Sequence, residues 1–453
     1  MTTTVTAPTT TTTRAARGRW IEHWEPEDET FWESSGRSIA RRNLVLSIIA
    51  EHLGFSVWLI WSIVAVNLEA AGFAFTDSQL FWLVSVPALV GATLRIPYTF
   101  AVPLLGGRNW TIVSALLLVI PCLGLAWAVS DPTTSFTTML VVAATAGFGG
   151  GNFASSMANI SYFFPEREKG WALGLNAAGG NIGVAVVQAP IVVSAIVVAG
   201  GGLHLERAGL MWIPLVLLAA LLAWRFMDNL APAKADFSSS AAAVRRPHTW
   251  VMSFLYIGTF GSFIGYSAAF PLLIRTQFPE VSVVSYAFLG ALVGSLVRPL
   301  GGKASDRWGG ALVTACSFVA MAGGVLGAVV ALRAGSFPAF LASFILLFVA
   351  TGVGNGSTYR MIPAIFRRTA DDEGGSPETV ARFRAEAAAA IGIISAVGAY
   401  GGFVVPRTYA WSTASFGSVE PALFVYVGLY AVMLAVTWVG YLRPGARFAQ
   451  ARV

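Results

Sequence analysis

The chain has 453 residues, of which 56% are hydrophobic and 11% charged, and a net charge of +6. That composition excludes a soluble globular protein, because apolar runs of about 20 residues, each able to cross a hydrocarbon core of about 30 Å as a helix, recur throughout. The basic residues sit in short turns between those runs and form no dense stripe of the kind a phosphate backbone requires, so the expected partner is a lipid bilayer and no nucleic acid.

The opening MTTTVTAPTTTTTRAARGR is too polar and repetitive to build a core and reads as disordered. It lacks the apolar stretch and small-residue cleavage site of a secretory signal, so insertion is expected to begin with the first membrane helix. The next stretch, WIEHWEPEDETFWESSGR, sets three tryptophans among acids, which suits a short helix lying on the membrane surface. Residues 1–42 form the predicted N-terminal segment.

Twelve spans are predicted, beginning near Asn43, Gln79, Thr111, Phe136, Gly170 and Ala208, then Thr249, Val284, Ala311, Phe337, Phe383 and Ala422. The fold class is an all-α membrane protein of twelve transmembrane helices in two pseudo-symmetric six-helix bundles, over residues 43–228 and 249–443. A polar, Pro-containing linker fills 229–248, and a tail fills 444–453. Arg37, Arg41, Arg42, Arg108, Arg167, Lys169, Arg225, Arg245, Arg246, Lys303, Arg307, Arg367 and Arg368 fall at the N-terminus and in even-to-odd loops. The opposite loops hold only Arg207, Arg275, Arg333 and Arg407, so both termini are placed in the cytoplasm of a multi-pass inner-membrane protein.

In the first span, SIIAEHLGFSVW puts Glu51 nine residues past Arg42, about 13 Å along a helix, with His52 beside it. Glu51 reads equally as a proton carrier and as a gate paired to a basic residue. Cys122 and Cys316 lie in separate apolar segments without metal-ligand spacing, and read as packing residues.

Between Gly147 and Pro190 two glycine-laden spans are joined by a charged turn, with Asn152, Asn159, Asn176 and Asn181 among the glycines. Glycine costs about 1 kcal/mol in a helix relative to alanine, so its density here reads as close helix contact that lets the fourth and fifth spans slide. After the eighth span, GGKASDRWGG carries Asp306 and Arg307; Asp306 is expected to brace a helix end while Arg307 snorkels, a latch that breaks as the halves rock.

Three arginines lie inside apolar spans: Arg95, Arg298 and Arg360. A guanidinium at bilayer depth costs at least about 3 kcal/mol and cannot shed its proton, so something must compensate it. For Arg360, nearer a span end, snorkelling is expected. Arg95 and Arg298 are each followed within two residues by proline, and their offset is 298 − 95 = 203; Phe153 and Tyr359 differ by 359 − 153 = 206. One duplication thus places two cations and two rings around an axis between the halves. Permanent charges without carboxylate partners call for an anion, and arginine's planar fork suits an oxyanion.

The segments GGGNFASSMANISYFFP, GLNAAGGNIGVAVVQ, TFGSFIGYSAAF, GVGNGSTYRMIP and GAYGGFVVP resemble those of the nitrate/nitrite porters of the major facilitator superfamily. The resemblance implies transport of nitrate and nitrite, with Arg95 and Arg298 as the anion-binding pair and Phe153 with Tyr359 as the sandwiching rings. Tyr256 and Asn181 fall where that family has further polar contacts. Gly174, Gly179, Gly180 and Gly183, with Gly398, Gly401 and Gly402, fall where its two signature helices bend or slide. Tyr359 and Arg360 depart from the family pattern and bear on nitrate against nitrite. Formate is the runner-up substrate, and the resemblance leaves two coupling modes open, nitrate/nitrite exchange and proton-coupled nitrate import, with protons as a possible co-substrate through Glu51. Neither a cofactor nor a metal nor an obligate protein partner is expected. A haem-binding or enzymatic membrane subunit is disfavoured, because of His23, His52, His204 and His248 only His52 lies within a span.

Overall fold

A computed structural model describes residues 19–197, 202–233, 237–445, 448 and 453. The first eighteen residues, expected to be disordered, lie outside that range, as do parts of the linker and the tail. Eleven helices among the described residues are long and apolar enough to cross a membrane. The twelfth expected span, the fourth in order, is present as two shorter helices, Phe136–Thr145 and Gly147–Phe163, with Ala146 between them.

Helices are the only open-ended solution here, because a lone segment in hydrocarbon must satisfy its own backbone. Local signals set their ends. Thr76 and Gln79 form a capping box before the second span, Asp77–Leu105, while Ser135 and Ser376 cap the fourth and eleventh. Gly106 and Gly309 end the second and eighth spans in the same left-handed conformation, at φ 89° and 90°. Their offset, 309 − 106 = 203, equals that of Arg95 and Arg298, and Asn152 and Asn355 share it (355 − 152 = 203). The duplication is therefore built into the backbone. Phe153 and Tyr359, at 206, stand three residues out of this register.

Leu104, Trp127, Leu221, Trp224, Val330 and Val439 are exposed and supply an apolar outer surface for lipid. Inside, the glycines of the fourth span do not face the fifth. A Cβ on Gly149 would overlap the carbonyl of Gly54, and one on Gly150 the indole of Trp58. Gly179, Gly180 and Gly183 of the fifth span (Glu166–Val187) likewise press on Ile48, Glu51 and His52. The fourth span thus closes on the first, Glu29–Asn67, and through Gly147 and Gly151 on Val90 and Tyr98 of the second, while the fifth closes on the first.

The N-terminal tryptophans also differ from expectation. Trp20–Ile21 (β1) pairs in parallel with Asn229–Leu230 (β2), just past the sixth span. Trp24 packs edge-on against Phe163 and Trp32 against Phe164, and both indoles are buried in the bundle. They cannot lie on a bilayer. The linker contains a helix at Phe237–Arg245. Cys122 is buried as expected, whereas Cys316 is exposed on the ninth span.

The two halves are tied together on the arginine-poor face. Arg275 pairs with Glu69, Arg407 Nη1 donates to the Ser78 carbonyl at 3.2 Å, and Gln188 Nε2 donates to Ser62 Oγ at 2.9 Å and to the Ser267 carbonyl at 2.8 Å. On the arginine-rich face Arg384 and Glu166, both exposed, stand 3.9 Å apart across the same divide.

Candidate anion site between the halves

Arg95 is fully buried in the second span, and Arg298 is 5% exposed in the eighth (Val283–Trp308). No carboxylate lies within 4 Å of either among the described residues. Arg95 spends two of its nitrogens on backbone: Nε donates to the Gly150 carbonyl at 3.1 Å, and Nη1 reaches across to the Ser395 carbonyl at 2.8 Å. Its third nitrogen, Nη2, is buried without a partner, as is Nη1 of Arg298. Two buried, unmatched guanidinium donors are costly unless something accepts from them.

The rings follow from the same geometry. The Arg95 guanidinium stands 4.5 Å from the centre of the Phe153 ring, and that of Arg298 stands 5.9 Å from it. Phe153 is therefore the ring both cations share. Tyr359 meets only Arg298, at 5.7 Å. Instead of facing Tyr359, Phe153 stacks on Phe260 at 5.9 Å, and Phe260 stacks on Tyr256 at 5.3 Å. Phe260 also lies under Arg95 at 4.9 Å, with Trp58 at 5.5 Å.

Phe260 and Trp58 were missed by the sequence reading. Phe260 lies in the π-helical turn Ile257–Gly261 inside the seventh span, and such turns mark helices distorted for function. The signal available was the TFGSF string, already noted as a family segment. Trp58 is seated by glycine: Cβ atoms at Gly91 and Gly150 would strike its ring, and its Nε1 donates to the Pro87 carbonyl at 2.8 Å.

The Tyr256 hydroxyl is in the field of Arg298 without a well-formed hydrogen bond, and the Tyr359 hydroxyl has no partner. Asn181 is buried with an unpaired Oδ1, but no contact joins it to the arginines. Gly398 and Gly401 press on Tyr256 and Gly261, and Gly402 on Ile264 and Ala88; nothing lies within 4 Å of a Cβ at Gly174. Arg360 is not a second-site cation. Its Nε donates to Asp306 Oδ1 at 2.7 Å on the exposed rim, joining the tenth span to the eighth within one half, while Arg307 stands over Trp308. Glu51 has no ion-pair partner among the described residues, so the gate that required a basic neighbour is not formed; it accepts from Asn176 at 2.7 Å.

Residues 47–406 match the Major Facilitator Superfamily. Over 93% of its length the chain is 43% identical to the nitrate/nitrite transporter NarU of Salmonella typhimurium, covering 96% of that protein. It belongs to the nitrate/nitrite porter family of that superfamily. A probable nitrate/nitrite antiporter, NarK2 of Thermus thermophilus, is 38% identical over 96% of this porter and 99% of its own chain. Among solved structures, a D-xylose–proton symporter superposes with a TM-score of 0.63 at 15% identity, over 86% of this chain and 96% of that one, and shares the fold alone. The porter is a multi-pass membrane protein.

Proposed function

We propose that the porter moves nitrate and nitrite across the cytoplasmic membrane by alternating access, with the anion held between Arg95 and Arg298 against the face of Phe153. The observation that carries this reading is the pair of buried, unpartnered guanidinium nitrogens, Arg95 Nη2 and Arg298 Nη1, of two arginines that both stand within about 6 Å of the centre of one ring. A planar trigonal oxyanion accepts in its plane from both forks while its face lies on the aromatic ring. Tyr256 and Tyr359 offer hydroxyl donors at the edge, and Asn181 is a further buried amide in the fifth span.

The bias of arginines puts the N-terminus and the even-to-odd loops in the cytoplasm. On that orientation the ties at Glu69, Ser78 and Gln188 close the outer side. Residues 43–228 and 249–443 are the two rocking units, joined by 229–248. The signature glycines keep the first and fifth, and the seventh and eleventh, spans close enough to slide. Asp306 with Arg360 holds the eighth and tenth spans together as the second unit moves.

Purified porter in liposomes, preloaded with unlabelled nitrate, is expected to take up labelled nitrite and nitrate by counterflow. Replacing either fork by a point charge, Arg95→Lys or Arg298→Lys, removes a charge-assisted bond worth about 1.5–3 kcal/mol and lowers that flux about 10- to 100-fold. Undiminished counterflow in both variants overturns the site.

A further inference from the structure

We propose that Glu51 is the proton-binding group that couples anion movement to the proton gradient, so that one proton crosses with each anion. This rests on the reading of Arg95 and Arg298 as the anion site. Glu51 is 1% exposed in the first span. Its Oε2 accepts from Asn176 Nδ2 at 2.7 Å, and the same amide donates to Ser156 Oγ at 2.7 Å. The other oxygen, Oε1, has no partner, although the missing side chain of Gly180 leaves the room it occupies. A lone ionised carboxylate in such a place costs several kcal/mol, and a glutamine or leucine would pack there without that cost.

The groups facing Glu51 can be named from every neighbouring helix. The first span packs on the second, third, fourth, fifth and sixth, and its Trp61–Asn67 end on the seventh, whose Ser262–Gln277 part carries Tyr266 and Arg275. Of these the second supplies Arg95, and across the divide the eighth supplies Arg298 and the tenth the Tyr359 hydroxyl, all within electrostatic reach of the carboxylate. The fourth and fifth supply Ser156 and Asn176, with Glu166, Arg167, Glu168 and Lys169 at or just before the fifth span's start. The third and sixth bring Arg108, bonded to the Trp224 carbonyl, and Arg225 near the arginine-rich face. On its own helix His52 places Nδ1 3.1 Å from the Gly179 carbonyl.

Thus the two cations that would bind the anion are also the ones nearest the carboxylate. An ionised Glu51 offsets one of their charges when the site is empty. An arriving anion does the same and repels the carboxylate, so anion and proton each raise the other's affinity by the same factor. Loaded with both, the site holds two cations, one anion and a neutral acid; empty, it holds two cations and a carboxylate. These two states carry equal net charge and are the ones suited to closing through a dry intermediate. The proton binds Glu51 with the anion on one side and leaves to water on the other; the anion is unchanged.

The test uses the full chain in liposomes containing a pH-sensitive dye and no internal nitrate or nitrite. An acid exterior of one pH unit is expected to drive nitrate in, up to about tenfold accumulation at one-to-one coupling, with acidification of the lumen. Glu51→Gln, which keeps the shape and the Asn176 contact, is expected to lose the accumulation and the acidification while still exchanging labelled for unlabelled nitrate at a measurable rate. Lumen acidification by Glu51→Gln overturns the assignment to this residue. Counterflow by the unsubstituted porter without acidification or gradient-driven uptake overturns proton coupling and leaves the anion site standing; absence of all nitrate flux overturns both.

Discussion

Gly180 and Gly174 stand six residues apart on the fifth span and face different fates on substitution. At Gly180 a methyl group would overlap Glu51 Oε1 and Cδ, displacing the carboxylate or the helix. At Gly174 it would meet nothing within 4 Å. Gly180→Ala is therefore expected to destabilise the detergent-solubilised porter by about 1–3 kcal/mol, whereas Gly174→Ala is neutral or gains up to about 1 kcal/mol from helix propensity. Thermal unfolding followed by tryptophan fluorescence checks both, and an equal loss at the two sites would contradict the packing argument. Glycine density alone could not separate them, because a glycine that allows contact and one that faces open space look the same in sequence.

The segment before the first span is an element in its own right. Asp228, 3% exposed at the end of the sixth span, receives Arg19 Nε at 3.0 Å, Asn43 Nδ2 at 3.1 Å and the Arg42 guanidinium, and the β1–β2 pair lies directly beside it. One carboxylate thus ties the N-terminal strand, the first span and the sixth together. Asp228→Ala leaves those donors facing each other, and is expected to cost about 2–4 kcal/mol and to speed proteolysis after Arg19. Unchanged cleavage and unchanged unfolding temperature would show that the tryptophans alone hold the segment. Tryptophans among acids were legible as amphipathic; that their apolar surface would be the bundle's own Phe163 and Phe164 was not, since lipid and protein offer an indole the same kind of burial.

At the scale of the whole molecule, the two halves are held together on the arginine-poor face. Gln188 contributes the most buried tie: its Nε2 donates to Ser62 within its own half and to the Ser267 carbonyl on the other. Gln188→Ala removes one bond across the divide, worth about 0.5–1.5 kcal/mol, and so raises the population opened on that face by about 2- to 12-fold. Spin labels at the exposed positions Ala70 and Glu280, one on each half, are expected to report this as growth of a longer distance. An unaltered distance distribution would mean that the ion pair of Arg275 with Glu69 suffices.

The sequence by itself determined the class of fold, the duplication and the two cations, because each leaves a mark that no tertiary detail can erase. Hydrocarbon demands long apolar helices, a repeat preserves its offset of 203 residues, and an arginine cannot hide its charge. Only the tertiary structure decided which ring those arginines share, that Phe260 and not Tyr359 stacks on it, and that Arg360 turns away to Asp306. Those outcomes depend on a π-helical turn at Ile257–Gly261 and on which glycine lets which side chain in, and both arise from packing between helices far apart in the chain.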